Sequence, residues 1–265
     1  MRKTKHEPLT IGEVEQYQLP AWLPDLIATS ARQFGLAPNQ VRILDWGCGR
    51  GLVVLKLLQL GFDAWGVDID AKVLAKGGDC LAAMGYRDRL VRARPEDFST
   101  TLPSGFFHLI FSRQVLEHVS DLTLAFREMR RLNPPGALAY HVFPAKWRVM
   151  ESHLRIPLVH WLPKNNSRRL FIWCFQWALP PWAEVGQMSA WNRAAVFYRY
   201  SVGKTYYRSA AEIARACRDS HFSIRPIFIA EGGRISTRPP RGPGDRFRRY
   251  LSNTFRSVRL YVVAG

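Results

Sequence analysis

The chain has 265 residues, 47% apolar and 12% aromatic, enough for one domain with a sizeable core and unlike a disordered or fibrous protein. Its four cysteines (Cys48, Cys80, Cys174, Cys217) are scattered without a C-x-x-C pair, so neither a disulfide framework nor a zinc site is expected, and a reducing, cytoplasmic setting is. The net charge of +17 is uneven: residues 1–143 carry 17 basic and 15 acidic side chains, whereas residues 144–265 carry 21 and 6, a field suited to an anionic partner.

Met1-Arg2-Lys3-Thr4-Lys5 runs into polar residues, unlike a signal peptide. Thr10 and Glu13 form a capping box, and Ala21 to Phe34 reads as a helix. Val41 to Asp45 reads as a strand, followed by glycines at 47, 49 and 51 and an apolar helix from Val53 to Leu60. Trp65 to Asp70 is a second strand ending in acids, and Phe107 to Ser112 a fourth. Asp121 opens a helix to about Leu132, with Leu122, Ala125, Phe126 and Met129 at core spacing. The alternation from Val41 to Val142 predicts a doubly wound parallel sheet. A capping box at Ser209 and Glu212 starts a helix to about Asp219; Ser223–Ala230 and Val258–Val263 read as strands six and seven.

A dinucleotide fold uses G-x-G-x-x-G; here the spacing is G-x-G-x-G, with Asp45 two residues earlier. A carboxylate there repels a pyrophosphate but holds an ammonium, which suits the methionine end of S-adenosylmethionine (SAM). The pattern resembles the first motif of class I SAM-dependent methyltransferases, the superfamily that includes ubiquinone and menaquinone biosynthesis enzymes. Pro95-Glu96-Asp97-Phe98, the strand-four segment with Gln114-Val115-Leu116-Glu117-His118-Val119, and Leu132-Asn133-Pro134-Pro135-Gly136 continue the likeness in order, over about residues 38–143.

The resemblance implies a Rossmann-like α/β sheet of seven strands, the seventh antiparallel, with a largely helical insertion after strand five. It divides the chain into a SAM-binding half (1–143), an acceptor-binding insertion (144–204) and a C-terminal completion (205–265). It implies SAM as cofactor, with Asp45, Gly47, Cys48, Gly49 and Gly51 at the methionine end, Asp68 and Ile69 at the ribose, Glu96 and Asp97 near the adenine and Gln114 near the sulfonium. Trp46, His108 and Pro135 depart from the family's usual residues.

An oxygen acceptor needs a general base, and histidine is the default near neutral pH. His153 oriented by Glu151 is the first candidate and His118 the second, against structural readings in which His118 caps a helix and Glu151 and His153 tie the insertion down. Glu151, His153 and His160 have irregular spacing for a metal, and none is expected. His141 reads as buried. The insertion holds six of the nine tryptophans, which read as core or as an interfacial belt beside Lys164, Arg168 and Arg169. Tyr198, Tyr200, Tyr206 and Tyr207 are candidate pocket residues; the arginine-rich Arg238–Arg249 is a loop facing solvent or phosphate. Leu170–Ala183, the longest uncharged aromatic run, is too short to span a bilayer. The function expected is methyl transfer, chiefly to oxygen, on a small-molecule, glycan or lipid-linked acceptor, anionic acceptors included, with peripheral contact at an anionic inner membrane face. The rivals are an RNA methyltransferase, which lacks a matching catalytic motif, and a noncatalytic scaffold.

Overall fold

β1 (Arg42–Trp46) is buried along nearly its whole length, as a strand covered on both faces must be. It pairs in parallel with β2 (Asp63–Asp68) on one side and β4 (Leu109–Arg113) on the other. β3 (Leu90–Arg92) extends the first side, and β5 (Leu138–Pro144) the second. β7 (Ser257–Ala264) runs antiparallel between β5 and β6 (Phe222–Ile224), giving the order 3-2-1-4-5-7-6. This computed structural model describes residues 7–175, 185–225, 228–229, 235–236, 242–244 and 257–265.

α1 (Ile11–Gln16), α2 (Trp22–Phe34), α3 (Leu52–Gln59) and α4 (Ala71–Ala83) bury their apolar sides in one core with Ile43, Leu109 and Tyr140. On the opposite face α5 (Leu122–Leu132) packs Phe126 and Met129 with Leu44, Ile110 and Ala139. Both predicted capping boxes form, and Asp70 and Asp121 cap α4 and α5. Strand order reverses between β1 and β4, so a crevice opens outside their carboxyl ends, where open α/β sheets bind ligands.

Residues 145–165 run without α-helix; α6 (Asn166–Cys174) and α7 (Ala190–Gly203) follow and share a small core of Leu154, Ile156, Val159, Ile172 and Phe197. α8 (Ala210–Asp219) then returns to the α5 face. Strand six ends early, at Ile224; Phe228–Ile229 pairs instead with Ile235–Ser236 in a separate ribbon. Trp177, Trp182 and nearly all of Arg238–Arg249 lie outside the described residues.

His108 has a structural explanation: Nδ1 accepts the Arg42 backbone N–H at 3.1 Å and the ring packs on Phe34, tying β4 to β1 and α2. His141 is fully buried beside Ser112 (2.8 Å), and burial pushes it down to about 3. Lys164, ahead of α6, and Arg168, inside it, are spent on backbone carbonyls. Arg168 is buried and donates to the carbonyl of Leu162 at 3.1 Å, and the Lys164 ammonium donates to the Thr205 carbonyl at 3.0 Å, so both close the insertion's own backbone. Among the described residues, no helix is long and apolar enough to cross a membrane.

Candidate active site

After Trp46 the chain turns through Gly47-Cys48-Gly49-Arg50-Gly51 into α3. Gly47 has φ +80°, and a Cβ there would lie 2.4 Å from a Val115 methyl, so only glycine fits. The N–H groups of Gly47 and Cys48 both donate to the Val67 carbonyl, at 2.7 and 3.0 Å. The Asp68 carboxylate accepts the N–H of Gly49 at 2.9 Å and of Asp70 at 3.0 Å. The loop is thus hung from the end of β2.

Its other side leans on α4 and the N-terminal segment. A Cβ on Gly77 would sit 1.7 Å from the Arg50 carbonyl oxygen, so α4 touches the loop's backbone there. The Arg50 guanidinium pairs with Glu13 at 3.2 Å and donates to the carbonyls of Glu7 and Pro8 at 2.9 and 3.1 Å.

A cavity of about 1060 Å³ opens along the carboxyl ends of β1, β2 and β4. Its size exceeds most single-ligand pockets and suits a cofactor with a second molecule. Gly47, Gly49, Asp68, Ile69 and Gln114 border it, as does His118. The remaining cofactor candidates lie elsewhere. Asp45 is buried beneath the loop, and Gly51 packs on Leu90. Cys48 turns its sulfur toward Gly66, and burial pushes its thiol well up, so it is inert. Glu96 and Asp97 are exposed and outside the lining; Asp97 accepts the Ser99 N–H at 3.0 Å in a tight local turn.

The wall beside them is Ala93 and Phe98, the latter closing the segment expected near the adenine, where Glu96 and Asp97 were the named candidates. Phe98 (φ +60°) and Gln114 (φ +59°) hold left-handed backbone, which non-glycine residues adopt at a cost and mostly at functional positions. An apolar residue directly after two acids was the available signal for Phe98. Arg113, Val115, Arg148 and Ser152 complete the lining toward the insertion.

At that end His118 Nδ1 meets the Lys204 carbonyl at 2.6 Å. A carbonyl only accepts, so Nδ1 carries the hydrogen, and in the neutral ring the lone pair is on Nε2. Nε2 lies 3.9 Å from the buried Glu117 carboxylate, and the His153 ring stands edge-on to His118 at 4.8 Å between centroids. The Glu151 carboxylate accepts the backbone N–H groups of His153 (2.7 Å) and Leu154 and the Tyr207 hydroxyl. A carboxylate close to two consecutive N–H groups fixes the turn. His153 itself does not border the cavity.

Sheet order, glycine loop and the acid ending β2 together define the nucleotide-binding class of α/β folds to which class I methyltransferases belong. A family model described as a methyltransferase domain matches residues 16–225, and the chain belongs to that family, whose cofactor is SAM. Among curated proteins it is 31% identical over 100 residues to a ubiquinone biosynthesis O-methyltransferase of Caulobacter sp. (strain K31), covering 37% of this chain and 38% of that one. A protein of the same name from Methylococcus capsulatus is 26% identical over 143 residues, 49% of this chain and 60% of that one. The matches thus span less than two thirds of these relatives. A crystal structure of a SAM-dependent methyltransferase from Mesorhizobium loti shares the fold with a TM-score of 0.52 at 18% identity, over 94% of this chain and 99% of that chain.

Two outcomes are expected at the cofactor end. Gly77→Ala should push the Arg50 carbonyl, lower the melting temperature by several degrees and weaken SAM binding at least tenfold. Gly78→Ala, with nothing within 4 Å, should keep binding unchanged and gain helix stability; calorimetry and thermal unfolding of the pair check this. Burial, with a contribution from Asp68 and against Arg113, pushes the Asp45 carboxyl up to about 7. A carboxyl so raised favours the folded state at low pH and loses that favour as pH rises through 7. Asp45→Asn should therefore match the wild-type melting temperature near pH 4 and exceed it increasingly toward pH 8, with a ceiling of about 4 kcal/mol.

Proposed function

We propose that this chain transfers a methyl group from SAM to a hydroxyl of a small, glycan or lipid-linked acceptor. The observation that carries this is the continuous cavity running from Gly47, Gly49 and Asp68 to His118. SAM supplies an activated methyl on a sulfonium; the protein's task is to hold two molecules in line and take away a proton.

Gly47 and Gly49 offer flat backbone to the methionine end, with the buried Asp45 carboxyl behind it, charged as pH rises through about 7. Asp68, already fixed by Gly49 and Asp70, grips the ribose, and Phe98 and Ala93 cover the base. Gln114 faces the sulfonium side. His118 takes the acceptor's proton on Nε2, since Nδ1–H is committed to Lys204. His153 supports it from behind.

An apolar lip favours a lipid-linked acceptor. Val149 and Leu158 are joined by a 2.7 Å backbone bond, Met150 bridges to Pro157, and Trp147 stands 5.6 Å from Trp161 between ring centroids. All six except Pro157 are exposed, with Lys146 over the Trp147 ring. Arg148 belongs to both lip and cavity wall, so the lip adjoins the mouth. Interfacial tryptophans beside cations suit an anionic membrane surface.

Turnover of labelled SAM against a panel of hydroxylated lipids and glycans tests the reaction. Asp68→Ala should lose SAM binding at least tenfold. His118→Gln should bind SAM within about threefold of wild type yet lose about 100-fold in kcat. Absence of SAM binding by folded wild type would sink the reading. In vesicle pelleting, phosphatidylglycerol vesicles should retain the chain, and the Trp147→Ala, Trp161→Ala double variant should lose most of that binding. Tighter binding to RNA than to vesicles at equal salt would favour a nucleic-acid substrate instead.

A further inference from the structure

We propose that Glu117, His118 and His153 form a binding site for a divalent first-row metal ion at the acceptor end of the cavity. Each offers one ligand atom, and these atoms lie within 4.8 Å of one another. One carboxylate oxygen and two imidazole nitrogens are the donor set of catalytic zinc sites and suit zinc-like ions better than magnesium or calcium. Around such an ion, ligand atoms sit about 3.4 Å apart, which small side-chain rotations within this cluster would achieve.

The donors are held in place before any ion arrives. Glu117 and His118 lie in a single 3-10 turn, Leu116–His118. Arg208 donates to the carbonyls of Leu116 (3.2 Å) and Ser120 (2.8 Å), and the Tyr206 N–H to that of Glu117 (2.7 Å). His118 gives Nδ1–H to the Lys204 carbonyl at 2.6 Å, the outer hydrogen bond that fixes which nitrogen of a ligating histidine meets the metal. Nε2 is thereby left on the side of Glu117, 3.9 Å away. Glu117 is 1% exposed, which shields an ion held there from competing water.

His118 borders the cavity, and Ser152, next to His153 in the chain, lines it, so an ion on His118 Nε2 would sit at the cavity's acceptor end. This part of the inference rests on the methyltransferase reading above. An acceptor hydroxyl on the ion gives up its proton to solvent, and its oxygen keeps the electron pair for the incoming methyl. His118 then acts as a ligand in place of a base.

The test uses the full chain stripped with a chelator. Zn²⁺ is titrated by calorimetry and Co²⁺ by visible absorption, with SAM binding measured on the same samples. One ion per chain at micromolar affinity or better is expected, with intense Co²⁺ bands of a low-coordinate site. His153→Ala and His118→Gln should each weaken binding at least 100-fold while retaining the wild-type circular dichroism. His160→Ala, a histidine outside the cluster, should bind normally. No stoichiometric binding by folded wild type, or binding unchanged in both cluster variants, overturns the metal site. SAM binding without metal binding defeats only this inference, and metal binding without SAM binding defeats only the methyltransferase reading.

Discussion

The Gly49 N–H donates to the Asp68 carboxylate at 2.9 Å, and the cofactor loop takes its position from that bond. It joins the end of β1 to the end of β2, the two strands whose carboxyl ends frame the cavity. The loop has little freedom besides: Val67 accepts two of its N–H groups, and α4 presses against it at Gly77. Positioning of this kind matters because methyl transfer asks for alignment more than for chemical assistance.

The acceptor side is built on a different principle. The turn carrying Glu117 and His118 belongs to the sheet half, yet its carbonyls are satisfied by Tyr206 and Arg208, which follow the insertion. Glu151, from the insertion's start, receives the Tyr207 hydroxyl from the same stretch. Residues 204–208 therefore lock the insertion to the core at the place where an acceptor would be gripped. Two buried glutamates have separate duties: Glu151 binds backbone and hydroxyl, while Glu117 sits beside imidazole nitrogen.

The strand order and the cofactor loop were legible because they depend on local rules. Glycines at 47, 49 and 51, acids at strand ends and Ser, Thr or Asp caps act over a few residues, so their spacing survives in the sequence. What depends on three-dimensional approach was not legible. Gly77 sits in a helix with no local reason to be glycine; only the Arg50 carbonyl explains it. Phe98 faces the cavity because Asp97 spends its carboxylate on Ser99, a choice that an acid-rich stretch does not announce. Glu151 next to His153 suggested an oriented base, but a carboxylate two residues away reaches backbone N–H groups as readily as a ring. Lys164, ahead of α6, and Arg168, within it, donate to carbonyls, a demand set by the irregular chain around them.

The tryptophans divide into populations with very different surroundings. Trp46 is 3% exposed and lines the cavity beneath the cofactor loop, whereas Trp147 and Trp161 stand exposed on the lip. The chain therefore carries its own optical probes. A water-soluble quencher reaches the lip indoles, with the exposed Trp173 and Trp191, and spares Trp46, so emission lost from the quenchable set on removing Trp147 and Trp161 reports on whatever covers the lip.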